Sequence, residues 1–501
     1  MVRRRVAAAG LTATLLAAVT GCAGPGAPVA GSTSGVVTSG VVPSAGASGG
    51  AVVTDGRPPA DATPAEIGGG TAWSGLRACP GNLPAYRCGF LAVPLDRKTA
   101  GSERLPLLVV AGGDLQADRT LVFLTGGPGQ GGTGAAERIV TRFGGAAAGV
   151  RIVLVDQRGT GGLALSCPRL QDEMGTSDLT VPTPDAVRTC ADTLGAKRAF
   201  YATSDTVADL EDLRRALRVE RLSFDGVSYG TYVAQRYAAT HPTRVDRLVL
   251  DSVVPVTGFD PLLTAVFPEV TLVLAAVCQE ASCGRDPSAD LAATVRRWPD
   301  LGPALLDTLT AMSVVDPTYG GVLDAVRAGA NGDDGPARLL VTTWQQRQAA
   351  PADVLSQGLH ASTLCLDFTF PWGGADTDPT IRGDAVERAV AALPPDQLAP
   401  FGAGTAAGNG FVATCRYWPR TPDPFVDVDP STDLPALARS GPRTLILAGD
   451  RDLSTPMTWA QSTAAAMPGS RLVVVPGSGH SVQSRSGGAV GSEVTRFLRA
   501  P

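Results

Sequence analysis

The chain has 501 residues, 44% of them apolar and 18% charged, with a net charge of -5. That is enough apolar chain for one large domain or two moderate ones, and the acidic balance excludes a surface built for nucleic acid. The histidines His241, His360 and His480 stand in no HxxxH or CxxC spacing, so neither a metal nor a cofactor is expected.

Arg3, Arg4 and Arg5 precede an apolar stretch, 6–19, of signal-peptide length and too short for a comfortable membrane span. Residues 1–21 therefore read as an export signal. It ends in Val19-Thr20-Gly21-Cys22, which resembles the bacterial lipobox and implies lipidation of Cys22 and a chain anchored at the outer face of the cell membrane. The alternative is an ordinary secretory signal cleaved near Ala23. Residues 22–70 are mostly Gly, Ala, Pro, Ser, Thr and Val without a helical or strand period, and read as a disordered tether. Its root-mean-square span would be about 35–40 Å. Setting Cys22 aside leaves eight of the nine cysteines, an even number that suits disulfides in an oxidising compartment. Proximity suggests Cys79 with Cys88 and Cys278 with Cys283, leaving Cys167 with Cys190 and Cys365 with Cys415 by order; buried free thiols are the alternative.

From Cys79 onward, strand-like runs alternate with helix-like stretches, the pattern of a mostly parallel sheet covered by helices. Strands are expected at 105–111, 120–124, 152–156, 222–225, 248–251, 444–448 and 472–475. Each is short, rich in Val, Leu or Ile and bounded by turn residues, as fully buried strands should be. Between the fifth and sixth of these the chain turns Ala- and Leu-rich with helical spacing, as in 262–278 and 303–312. A core in two parts, 71–252 and 442–501, is therefore expected to carry a mainly helical cap, 253–441, inserted before its last strands.

The stretch 222–230 carries the chemistry. A strand runs into Gly226-Val227-Ser228-Tyr229-Gly230, and helix-like residues 231–240 follow: the nucleophile elbow of an α/β hydrolase in its required context. Gly226 and Gly230 are the small residues that so tight a turn needs, and Ser228 would stand at the helix N-terminus, where the dipole favours developing negative charge. The loop Thr125-Gly126-Gly127-Pro128-Gly129-Gln130-Gly131-Gly132 follows an earlier strand, where this fold places its second oxyanion donor, so the amides of Gly127 and Tyr229 are assigned to the oxyanion hole. No Gly-Lys-Ser/Thr follows, which excludes a phosphate loop. The acid and base must come after the serine in that order. Asp452, third into the loop after strand 444–448, is the expected acid; Asp450 is read as ordering the loop or pairing with Arg451. His480, on the loop after the last strand, is the expected base. His241 precedes a proline at a helix end and reads as a cap or surface residue, and His360 has no assigned partner.

With these residues in hand, the chain resembles the proline iminopeptidase branch of the α/β hydrolases, and within it the secreted tripeptidyl aminopeptidases of actinobacteria, over roughly 73–500. The resemblance rests on Cys88-Gly89-Phe90-Leu91-Ala92-Val93-Pro94-Leu95-Asp96, on Gly126-Gly127-Pro128-Gly129, on Asp156-Gln157-Arg158-Gly159-Thr160-Gly161 and on the elbow. Cys415-Arg416-Tyr417-Trp418-Pro419 and the Thr455-Pro456 that follows Asp452 complete it. It implies release of short peptides from a free N-terminus, with acidic cap residues binding the substrate ammonium; Glu269, Glu280 and Asp367 are the nominated carboxylates. The Asp156–Gly161 segment is read as a structural loop without chemistry. Thr125 and Ser481 depart from the family's His and Gly at those positions. A carboxylesterase or lipase with the same triad, and a non-catalytic surface lipoprotein, are the competing readings.

Overall fold

The sheet grows from short apolar runs whose alternate residues pack on opposite faces. In β4 (Thr120–Leu124), Leu121 and Phe123 join one buried cluster while Val122 and Leu124 join another on the far side, the two-residue alternation of a strand covered on both faces. The other strands are β1 (Arg77–Ala78), β2 (Arg87–Pro94), β3 (Arg104–Gly113), β5 (Arg151–Val155), β6 (Leu222–Val227), β7 (Val245–Asp251), β8 (Arg443–Gly449) and β9 (Arg471–Val475). This computed structural model describes residues 76–79, 86–144, 149–421, 435, 437–439, 441–485 and 487–500; the expected export signal, Cys22 and the expected tether lie outside the described residues. The strand order is β1-β2-β3-β5-β4-β6-β7-β8-β9. From β5 to β9 neighbours are parallel, whereas β3 is antiparallel to both β2 and β5. The protein has the α/β-hydrolase fold.

Two differences from expectation concern the sheet edges. β2 and β1 are additional strands; β2 alternates half-buried and buried residues along its length, so it lacks the continuous apolar run that marks a central strand. β9 forms at its expected place but is not buried, because it is the last strand of the sheet and Val474 is 44% exposed.

Between β7 and β8 the described residues are mainly helical, and they supply most of a second buried cluster around Phe267, Leu305, Leu309 and Trp344. The helix expected from 262 begins at Val266, since the Asp260 carboxylate accepts the amides of Leu262 and Thr264 and holds the chain in a turn. Disulfides join Cys79–Cys88, Cys167–Cys190, Cys278–Cys283 and Cys365–Cys415. The last joins helix Gln357–Asp367 to helix Gly410–Tyr417 across 50 residues of sequence. Closing a loop of that length removes about 4 kcal/mol of unfolded-chain entropy on the chain-entropy account.

Candidate active site

Ser228 caps helix Tyr229–Thr240 with φ 55° and ψ -125°, a strained conformation for a residue with a side chain. The turn permits no Cβ on either side. At Gly226 one would lie 2.4 Å from the Gly230 carbonyl oxygen, and at Gly230 one would lie 2.4 Å from the carbonyl oxygen of Leu124. The first amide of the helix, at Tyr229, has no intrahelical acceptor. Gly127 and Pro128 line the same cleft as Ser228 and Tyr229. Their loop is held from behind: Asp156 accepts the amides of Gly132 and Thr133 at 2.9 and 2.8 Å, and the Ser356 amide donates to the Gly129 carbonyl at 2.9 Å. Arg158, fully buried, forks onto Asp209 through two 2.7 Å bonds and also donates to the Leu95 and Phe200 carbonyls.

At the ends of β8 and β9 the Asp452 carboxylate meets Nδ1 of His480 at 2.9 and 3.1 Å. Asp452 also accepts the Ser454 and Thr455 amides, each at 2.9 Å, and the Thr455 hydroxyl at 2.6 Å. Burial alone would push the Asp452 carboxyl up, yet His480 and the Thr455 donors hold it below the usual carboxylate range. Burial alone would likewise lower the His480 imidazole, but Asp452, helped by Asp251 and Asp178, outweighs it and raises the ring above its ordinary value. Helix Leu301–Val315 fixes this loop, because the His480 amide donates to the Ser313 carbonyl at 2.9 Å and a Cβ on Gly479 would lie 2.0 Å from that oxygen. Asp450 does order the loop: it is exposed and accepts the Gly477 amide at 2.7 Å.

Asp251, at the end of β7, joins the two halves of the site. Its carbonyl accepts the Ser228 amide at 3.0 Å, while its carboxylate accepts the amides of Val482 and Gln483, just past His480, at 2.8 and 2.9 Å. Beside it, the Ser252 hydroxyl accepts the Ser481 amide at 2.8 Å. Asp251→Asn leaves only one carboxamide oxygen for two buried amides and turns an NH2 toward one of them, at a cost of about 1–3 kcal/mol. Because the strain falls on the loop bearing His480, kcat is expected to drop roughly tenfold to a hundredfold; steady-state kinetics beside a thermal melt check this.

The nominated ammonium carboxylates are not gathered at Ser228, since none of them lines its cleft. Glu280 is exposed and pairs with Arg451. Asp367 is buried, accepts the amide and hydroxyl of Thr203, and is pushed up to about 7 by burial. Glu269 is buried, and its carboxyl is raised by burial and by the charge of Asp452, partly offset by a bond from the Thr458 backbone. His241 stacks against Tyr237 at the end of its helix. His360 has a partner that sequence reasoning missed: its Nδ1 lies 3.2 Å from the Pro128 carbonyl oxygen.

Residues 399–501 match the family model described as TAP-like protein. Over that segment the chain is similar to the TAP-like proteins. The chain is 29% identical over 195 residues to a tripeptidyl aminopeptidase of Streptomyces coelicolor, covering 34% of the chain and 36% of that relative. A probable proline iminopeptidase of the same organism is 34% identical over 174 residues, 34% of the chain and 45% of that relative. Serine protease Hip1 of Mycobacterium tuberculosis is 24% identical over 469 residues, 82% of the chain and 84% of the relative. The match thus spans about a third of the tripeptidyl aminopeptidase and most of Hip1.

Proposed function

We propose that this chain is a serine peptidase that releases di- or tripeptides from the free N-terminus of peptides through an acyl-enzyme on Ser228. The observation that carries the reading is the buried Asp452–His480 pair, 2.9 Å apart, set at the strand ends where the elbow presents Ser228. His480 takes the proton from Ser228 as it attacks the carbonyl carbon, and Asp452 holds the imidazole with its proton on Nδ1. The Gly127 and Tyr229 amides receive the oxyanion, each worth on the order of 10²–10³ in turnover. The leaving amine takes the proton from His480, and water then hydrolyses the ester by the same steps. The names of the relatives support a peptidase over an esterase.

The four disulfides support an oxidising compartment. With the basic and apolar N-terminal segment they support export and a lipid anchor at Cys22, with 253–441 acting as a cap between the two parts of the core. No helix among the described residues is long and apolar enough to cross a membrane.

The test compares a tripeptide aryl amide bearing a free N-terminus with its N-acetylated twin and a short-chain aryl ester. Turnover of the free amide, with the acetylated twin much slower, is the expected result. Turnover of the ester alone would replace the peptidase with a carboxylesterase using the same residues.

A further inference from the structure

The cleft beside Ser228 is walled mainly by apolar side chains, among them Phe259, Phe368 and Phe411, and the polar residues that also line it include a carboxylate and an imidazole that the reaction above does not use, Asp178 and His360. His360 is 1% exposed, and its Nε2 has no hydrogen-bond partner. Its Nδ1 lies 3.2 Å from the Pro128 carbonyl and 3.7 Å from Oδ1 of Asp178. A bond to that carbonyl needs the proton on Nδ1, which leaves Nε2 of the neutral ring an acceptor. Oδ1 of Asp178 is shut off from solvent and likewise has no hydrogen-bond partner. An unmatched carboxylate oxygen and an unmatched imidazole nitrogen in an apolar cleft are costly unless a donor arrives.

The loop bearing Asp178 is fixed from several sides. The Ser177 hydroxyl accepts the Leu179 and Thr180 amides at 3.0 and 2.8 Å and donates to Asp307 at 2.5 Å. Gln357 donates to the Ser177 carbonyl at 2.9 Å, and Gly410 lies so close to Leu179 that a Cβ there would sit 2.6 Å from its carbonyl carbon. A carboxylate held this firmly, with one oxygen that no donor meets, is organised for a ligand that brings one.

We infer that Asp178 and His360 form the receptor for the α-ammonium group of an N-terminally unblocked peptide whose side chains lie against Phe259, Phe368 and Phe411. This rests on the peptidase reading and moves ammonium recognition from Glu269, Glu280 and Asp367 to a loop that precedes the elbow in the chain. An ammonium group brings three donors and the positive charge that the unmatched acceptors lack. The contacts from Asp178 to His360 and on to Pro128 place the receptor beside the oxyanion loop, within reach of a short extended peptide, since each residue spans about 3.3–3.6 Å.

Binding is measured by calorimetry in full-length Ser228→Ala protein, so that turnover plays no part. The probes are a tripeptide amide with a free N-terminus and its N-acetylated twin. The free amine is expected to bind roughly tenfold to a hundredfold tighter, the range of a hydrogen bond to a charged group. Asp178→Asn in that background should abolish the preference, and His360→Gln should reduce it, with melting midpoints confirming that both variants are folded. Equal affinities for the two peptides, or a preference that survives Asp178→Asn, would overturn the assignment. Failure of the peptidase reading shows separately, as absent amide turnover by the unsubstituted chain.

Discussion

Replacing Ser228 with alanine is expected to lower kcat on the free tripeptide amide by on the order of 10⁶-fold, the scale on which serine hydrolases lose activity with their nucleophile. The change deletes only the hydroxyl. The neighbours that force the turn, Gly226, Gly230 and the Leu124 carbonyl, are untouched, and alanine meets the same positive φ as serine. The melting midpoint should therefore stay within about a degree of the parent, since no buried contact is lost. An irreversible fluorophosphonate probe gives an independent reading: intact-protein mass spectrometry should find one adduct on the parent chain and none on Ser228→Ala. Substantial amide turnover by the alanine variant would remove Ser228 from the mechanism. An adduct persisting on the variant would show that another hydroxyl reacts, and the elbow would then be only a structural turn.

The elbow was legible because its demands are local. A strand, a glycine two residues either side of a serine, and a helix all fall within 222–240, and their geometry depends on near neighbours. Asp452 and His480 were legible for a related reason, each standing on the first loop after a short apolar strand whose place in the chain order the fold dictates. Central strands such as β4 and β5 announced themselves by continuous apolar runs, whereas β2, with one half-buried face, did not. The carboxylates were another matter. Glu280 carries the same charge as Asp178, but one meets Arg451 and the other a cleft, and only long-range packing decides which. Asp178 reaches the cleft because its loop is tied to Asp307, Gln357 and Gly410, residues some 130 to 230 positions further along the chain. No periodicity or motif within 170–183 reports such ties, and His360 was without meaning until Pro128 was placed beside it.

Asp452→Asn tests the other half of the proposed machinery and should cost on the order of 10⁴-fold in kcat. The carboxamide oxygen can still accept the Ser454 and Thr455 amides that Asp452 Oδ1 accepts at 2.9 Å, so the loop keeps its shape. Its NH2 can then donate to His480 Nδ1, which drives the imidazole proton onto Nε2 and leaves no base facing Ser228. The pH profile carries a second signature. Catalysis needs the neutral imidazole; in the parent chain Asp452, helped by Asp251 and Asp178, more than offsets burial and lifts the His480 pKa above its ordinary 6.5. As pH falls through that raised value the ring takes a proton, so the acidic limb of kcat/KM should lie above pH 6.5. Without that carboxylate burial is the largest remaining influence and favours the uncharged ring, opposed by the smaller effects of Asp251 and Asp178. The limb of the Asp452→Asn enzyme should therefore move to lower pH while its plateau falls. Asp450→Asn is the matched control, because Asp450 is exposed and its Gly477 contact can be kept by a carboxamide; its plateau should fall less than about tenfold and its limb should stay in place. If instead Asp450→Asn moved the limb and Asp452→Asn left it alone, the base would be answering to the wrong carboxylate, and the 2.9 Å contact between Asp452 and His480 would be structural.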